Sequence, residues 1–190
     1  MKLNGSYTFD APRGLVWQSL LDPEVIASIL PGCDKMEKTG ENQYKAAMTV
    51  RVGPVQGKFQ GTVRLSDLKE EESYQLTVEG RGPTGFLKAQ GEIRVEDASE
   101  EGKTDLHYDV EARVGGRIAS VGQRLIDTTA RSITRQSLEA LNQQIKARLE
   151  GNDDPDVKAP SATKMAAGVA KDVVKDLFRR KKKEKKENGD

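Results

Sequence analysis

Cysteine occurs once, at Cys33, so no disulfide can close within this chain, which suits a reducing compartment. Histidine also occurs once, at His107. One histidine and one distant cysteine do not make a transition-metal site. Aromatic residues make up only 5% of the 190 positions, so the core must be filled mainly by Val, Leu, Ile and Ala. No apolar run is long enough to span a bilayer. The opening Lys2-Leu3-Asn4-Gly5 lacks the continuous apolar stretch of a signal peptide. Any membrane contact is therefore expected to be peripheral. Net charge is nearly absent too, at +1, but it is unevenly spread. Residues 164–190 carry ten Lys or Arg against five Asp or Glu, a balance of +5 that leaves −4 for the remainder. The length and this asymmetry predict one domain at 1–150, a linker at 151–163 and a basic tail at 164–190.

What is present begins with alternation. Leu3, Gly5, Tyr7 and Phe9 alternate with polar residues, as in a half-buried strand. Ala11-Pro12-Arg13 opens a short helix, with Asp10 expected as its cap and Val16, Trp17, Leu20 and Leu21 inward. Asp22-Pro23 begins a second helix, with Val25, Ile26, Ile29 and Leu30 inward and Pro31-Gly32 as its stop. Five further segments then alternate between dry and wet faces: Tyr44–Val52, Gly57–Leu65, Tyr74–Gly80, Leu87–Val95 and Leu106–Val114. That pattern predicts an antiparallel sheet with one covered face. Gly57, Gly61, Gly80 and Gly91 fall on the dry parity, which points to a bend or a close approach there.

The covering element is predicted over Ile118–Leu149. Its apolar residues recur at three- and four-residue spacing, with Arg124, Arg131, Arg135, Glu139, Gln143 and Lys146 on the other side. A helix of that length needs a broad apolar surface beneath it. A cavity for an apolar guest between helix and sheet is expected. The glycine-rich Gly80-Arg81-Gly82-Pro83-Thr84-Gly85 lacks the lysine and following helix of a phosphate-cradling loop, and is expected instead as a flexible mouth to that cavity.

The order of strand, two short helices, further strands and long final helix suggests an α+β helix-grip fold, a curved antiparallel sheet wrapped around the C-terminal helix. Ala11-Pro12-x-x-x-Val16-Trp17, Asp22-Pro23 and Leu30-Pro31-Gly32-Cys33 resemble the opening of the carbon monoxide dehydrogenase G-subunit family. Val52-Gly53-Pro54, Gly57-x-Phe59-x-Gly61 and Gly115-Gly116-x-x-Ala119-x-x-Gly122 resemble its later motifs, so that the likeness runs from about Leu3 to Leu149. The resemblance implies a START or Bet v 1-like binder of hydrophobic molecules that accompanies a molybdenum-containing dehydrogenase and helps place it at the membrane. A bound quinone is implied in the same way, with no covalent cofactor. Gln136-Ser137 stands where the resemblance leads one to expect an aromatic pair.

The candidate cavity residues are the inward set: Trp17, Ile26, Ile29, Leu30, Tyr44, Met48, Val50, Phe59, Val63, Leu76, Leu87, Tyr108, Val121, Leu125 and Ile133, with Ile93 inward beside them. Most inward residues of any such fold are ordinary core. Tyr44 or Tyr108 is expected to donate a hydrogen bond to a ligand carbonyl. By parity His107 lies on the wet face beside Asp105 and Asp109, and Cys33 is expected as a buried, inert thiol. No catalytic set is found, so a non-catalytic carrier of a quinone or lipid is the first reading. A structural adaptor without ligand is the second, and an enzyme acting on a hydrophobic substrate is the third.

In the tail, Met165, Val169, Val173 and Leu177 recur every four residues, followed by Phe178 and the cluster Arg179, Arg180, Lys181, Lys182 and Lys183. An amphipathic helix ending in basic residues suits an anionic membrane surface. The expected location is therefore cytoplasmic, peripheral on the inner face of the cell membrane. Nucleic acid is a rival partner for the basic run, disfavoured because no aromatic stacking platform accompanies it. A plain solubilising tail is the other alternative.

Overall fold

The structure, a computed structural model, describes residues 1–151; the basic tail and all of the linker after Gly151 lie outside the described residues. The elements are β1 (Lys2–Phe9), α1 (Arg13–Leu21), α2 (Pro23–Ile29), β2 (Cys33–Gly40), β3 (Gln43–Val52), β4 (Val55–Lys69), β5 (Ser73–Gly82), β6 (Gly85–Asp97), β7 (Thr104–Gly115), a 3-10 segment Arg117–Val121, and α3 (Gln123–Leu149). Seven strands form one antiparallel sheet in the order β1-β7-β6-β5-β4-β3-β2. The first strand and β2 occupy opposite edges, so α1 and α2 carry the chain from one edge to the other. The helix-grip expectation holds.

Register follows the alternation. Tyr44, Val63, Val78, Ala89 and Ala112 form one cross-strand row from β3 to β7. Ala46, Gly61, Gly80, Leu87 and Val114 form the next. A slip of one residue would turn every apolar row to solvent, so the pattern fixes the pairing.

Three local expectations are corrected. Asp10 does not cap α1, whose first residues follow Pro12 with no side-chain cap. Its carboxylate instead meets Lys146 Nζ at 2.6 Å and Lys103 Nζ at 3.3 Å, and accepts from Asn142 Nδ2 at 3.3 Å. It thereby ties the end of β1 to the last turns of α3. The long helix starts at Gln123 rather than near Ile118, because Gly122 has φ +93°, outside the helical region that side-chain-bearing residues favour. Arg117–Val121 is a separate 3-10 turn. Finally, Cys33–Gly40 is a strand that the alternation does not reveal, a largely exposed edge with irregular pairing to β3. The cap of α2 is as the Asp22-Pro23 pair indicates: Asp22 Oδ1 accepts from the backbone N–H of Glu24 at 2.9 Å and of Val25 at 3.3 Å.

Part of the space between sheet and helices is closed core. Phe9, Val16, Leu141 and Ile145 have no exposed surface there, and Trp17 packs edge-on to Tyr74 with ring centroids 5.6 Å apart. A smaller cluster of Val52, Phe59, Ile118 and Ile126 packs towards the opposite end.

Charge is segregated along the same axis. The end carrying the β3–β4 and β5–β6 turns, the close of β7 and the start of α3 presents Arg51, Lys58, Arg81, Arg113, Arg117 and Arg124. Carboxylates near it are already engaged: Glu79 by Lys88 at 3.0 Å, Glu111 by Lys2 at 2.7 Å, and Asp127 by Gln123 Nε2 at 2.6 Å. The other end carries the acidic turns Glu70-Glu71-Glu72 and Glu100-Glu101.

Candidate ligand cavity

The final helix, α3, meets the sheet closely only along β1 and β3, and is gripped by α1 and α2. It stands off the middle strands and leaves a cavity of about 480 Å³. That volume falls within the range of small-molecule sites. Its floor is the two cross-strand rows, its roof is Ile126, Thr129, Ala130, Ile133 and Thr134 of α3, and α1 and α2 close one side with Leu20, Leu21, Ile26 and Leu30. Part of the volume comes from absent side chains. Gly61 and Gly80 face each other across β4 and β5, and a Cβ at Gly61 would come within 2.5 Å of the Glu79 carbonyl oxygen. The floor is bare backbone there; Gly61 cannot accept a side chain without shifting the strands, whereas a Cβ at Gly80 would meet nothing nearer than 4.0 Å.

Of the residues expected at the cavity, the structure brings Ile26, Leu30, Tyr44, Met48, Val50, Phe59, Val63, Leu76, Leu87 and Ile133 to its wall. The other five lie elsewhere, and Ile93 with them. Trp17 and Ile29 belong to the closed core. Tyr108 and Ile93 pack against that core, with the Tyr108 ring lying over Gly5. Val121 and Leu125 pack on the smaller cluster, where Leu125 covers Gly53. Parity marks these residues as inward but cannot say whether the opposite wall touches them. The wall also contains residues outside the expected set: Met1, Leu3, Cys33, Met36, Ala46, Tyr74, Ala89 and Thr129 among them. Ala46 and Ala89 are legible as inward strand positions, and their smallness is the signal of empty volume above them. Gly80–Gly85, expected as a flexible mouth, forms a paired hairpin turn with Gly80 on the cavity wall. Gly82 pairs with Gly85 around a two-residue turn, and the carbonyl of Thr84 accepts from Ile118 N–H at 2.9 Å.

Polar groups on the wall are few, and several of them are engaged within the protein. Tyr44 Oη donates to the Leu21 carbonyl at 3.3 Å, so its proton is committed within the protein rather than free for a ligand. Burial and then the Asp22 carboxylate push its phenol pKa up. Thr134 Oγ1 donates to the Ala130 carbonyl at 3.0 Å. The one carboxylate bordering the cavity among the described residues, Glu79, turns outward to Lys88. Cys33 is half-buried on the wall, not fully buried, and desolvation raises its thiol pKa, which keeps it protonated and a poor nucleophile. His107 sits on the outer face with Nε2 3.0 Å from Glu96 Oε1, so it cannot serve that thiol as a base. Gln136 and Ser137 are not on the wall, and Gln136 Nε2 donates to Ser132 Oγ at 2.8 Å. Among the described residues, no group of three His, Cys, Asp or Glu is placed to hold a metal. No helix among them is long and apolar enough to cross a membrane.

A family model described as the carbon monoxide dehydrogenase G-subunit (CoxG) matches residues 5–146. Among solved structures, a conserved protein from Geobacillus kaustophilus is similar at 30% identity, with a TM-score of 0.73, over 77% of this chain and 97% of that one. The ZhuI aromatase/cyclase from a Streptomyces species shares the fold at 17% identity and a TM-score of 0.60, over 82% of this chain and 99% of that one. Ara h 8.0201 does so at 12% identity and a TM-score of 0.57, over 77% and 98%. No curated protein sequence matches.

Proposed function

Because the chain belongs to the CoxG family, we propose that it is a non-catalytic carrier of a quinone or similar lipid-like molecule, serving a molybdenum-containing dehydrogenase at the cell membrane. The observation that carries this reading is the 480 Å³ cavity with largely apolar walls. A space of that size in a closed domain normally fills with side chains. Here the positions that could fill it hold Ala46, Gly80 and Ala89. Transfer of an apolar guest from water into such a space is favoured by about 25 cal/mol per Å² of apolar surface removed. An apolar guest requires no charged anchor.

The dispersal of the reactive groups among the described residues supports a carrier over an enzyme. A protonated thiol on the wall and a histidine on the outer face do not assemble a reaction site. The membrane half of the proposal rests on the basic amphipathic sequence at 164–190 and on the cationic end of the body, with each basic residue near an anionic surface worth about 1 kcal/mol. The dehydrogenase partner, the inner membrane face and the quinone are drawn from the family.

The test is organic extraction of the full-length protein purified from its native source, followed by mass spectrometry. A near-stoichiometric isoprenoid quinone or lipid is the expected result. A protein that yields none, and that binds no added naphthoquinone, refutes the carrier and leaves a structural adaptor.

A further inference from the structure

Tyr74 sits on β5 where closed core meets cavity. One side of its ring is held edge-on by Trp17, and the residue also borders the cavity. The residue is 5% exposed, and its hydroxyl has no hydrogen-bond partner among the described residues yet is not one of their fully buried unpartnered atoms, so it keeps some accessible surface. Thr129 on α3 is 3% exposed, borders the same cavity, and has a buried hydroxyl without a partner. A buried hydroxyl without a partner is costly, and proteins rarely leave one without a reason. The wall hydroxyls of Tyr44 and Thr134, by contrast, are satisfied by backbone carbonyls. The buried deficit therefore falls on Thr129, while Tyr74 brings an unpartnered but still accessible hydroxyl to the same cavity.

We infer that Tyr74 is the polar anchor of the cavity, donating its phenolic hydrogen to a carbonyl oxygen of an otherwise apolar ligand, with Thr129 meeting a second acceptor from the helix side. This rests on the carrier reading and names the ligand chemistry within it: a neutral skeleton carrying carbonyl or ether oxygens, not a carboxylate and not a pure hydrocarbon. A phenol is suited to the task only while it holds its proton. Burial, and next the neighbouring Tyr44, raise the Tyr74 pKa far above its ordinary value, so it remains a neutral donor. A carboxylate ligand would find no Lys, Arg or His side chain among the described wall residues to offset its desolvation, and the Met1 ammonium is engaged by the Ala112 carbonyl at 2.6 Å.

The experiment compares Tyr74→Phe with the parent full-length protein, each stripped of endogenous ligand. The replacement keeps the ring against Trp17 and removes only the oxygen. Two probes share a skeleton: 2-methyl-1,4-naphthoquinone, with carbonyls, and 2-methylnaphthalene, without. The quinone is expected to bind the variant roughly three- to ten-fold more weakly, the span of one neutral hydrogen bond, while the hydrocarbon binds both proteins equally. The empty variant is expected to melt no lower than the parent, since no hydrogen bond within the protein is lost. Equal quinone affinity in both proteins overturns the anchor and leaves the carrier standing. A lower melting temperature of the empty variant also overturns it, because it would assign the hydroxyl a structural partner. Failure of both probes to bind the parent removes the carrier reading and the anchor together.

Discussion

Replacing Ala89 with leucine puts the cavity to a test in which the sign of the result is the answer. Ala89 lies mid-sheet between Val78 on β5 and Ala112 on β7, and all three border the cavity. Leucine adds three carbon atoms. If they project into open space, each buries at about 0.8 kcal/mol, an upper sum of about 2.4 kcal/mol before side-chain entropy is subtracted. A net gain of about 1–2 kcal/mol is expected for the ligand-free protein, or about 2–8 °C in melting temperature at this chain length. In a filled core the same enlargement costs about 1–3 kcal/mol. Urea titration with the slope held in common separates the two outcomes, because they differ in direction as well as size. Ligand affinity should move the other way, since the added carbons take the place of guest contacts worth a similar amount, roughly fifty-fold in dissociation constant. A destabilised Ala89→Leu protein with unchanged naphthoquinone affinity would refute the reasoning.

Two further outcomes follow from hydrogen bonds that hold the scaffold. The Asp10 carboxyl is held down to about 2 from 3.8 by Lys146, Asn142 and Lys103. Its unfolded form takes up a proton first, so the stability it contributes is complete above about pH 4 and is lost as pH falls towards 2. Asp10→Asn should be less stable than the parent at pH 6, and the gap should narrow across that window in urea melts. Thr104 is fully buried and donates to the Ala11 carbonyl at 2.7 Å. Thr104→Val should cost about 1–3 kcal/mol with unchanged quinone affinity, since it leaves a buried carbonyl without its donor far from the cavity wall.

Much of the fold was legible because strand parity is binary. Once Tyr44, Phe59, Tyr74, Leu87 and Leu106 alternate with polar neighbours, the covered face is determined, and a long amphipathic helix must lie on it. The edge strand Cys33–Gly40 escapes because an edge over solvent has little need of alternation, and Met36 is the only large apolar residue after Cys33. The helix start is misplaced by the pattern because Ile118 and Val121 keep helical spacing through a 3-10 turn, and only the backbone at Gly122 breaks it. The cavity was legible as a kind of object but not in its full lining. Trp17 and Leu30 are both inward, yet one is packed in the core and the other borders empty space. That difference depends on how far α3 stands from the sheet. No single position encodes it; the contacts of α1 and α2 with the far end of α3 do.

The direction of α3 has a geometric consequence for the chain that follows it. The helix begins beside Gly53 at the arginine-rich pole, and its 27 residues carry it about 40 Å to the pole where Lys146 meets Asp10 and Arg148 approaches Asp22. Gly151 therefore leaves the body at the extremity opposite the cationic rim. The stretch from Gly151 to Arg179 can reach at most ~95 Å, more than twice the helix length, so its lysines and arginines are able to double back alongside the rim. A body fastened to one surface through both would be strapped down lengthwise, its long axis parallel to the plane, instead of dangling from a single stalk.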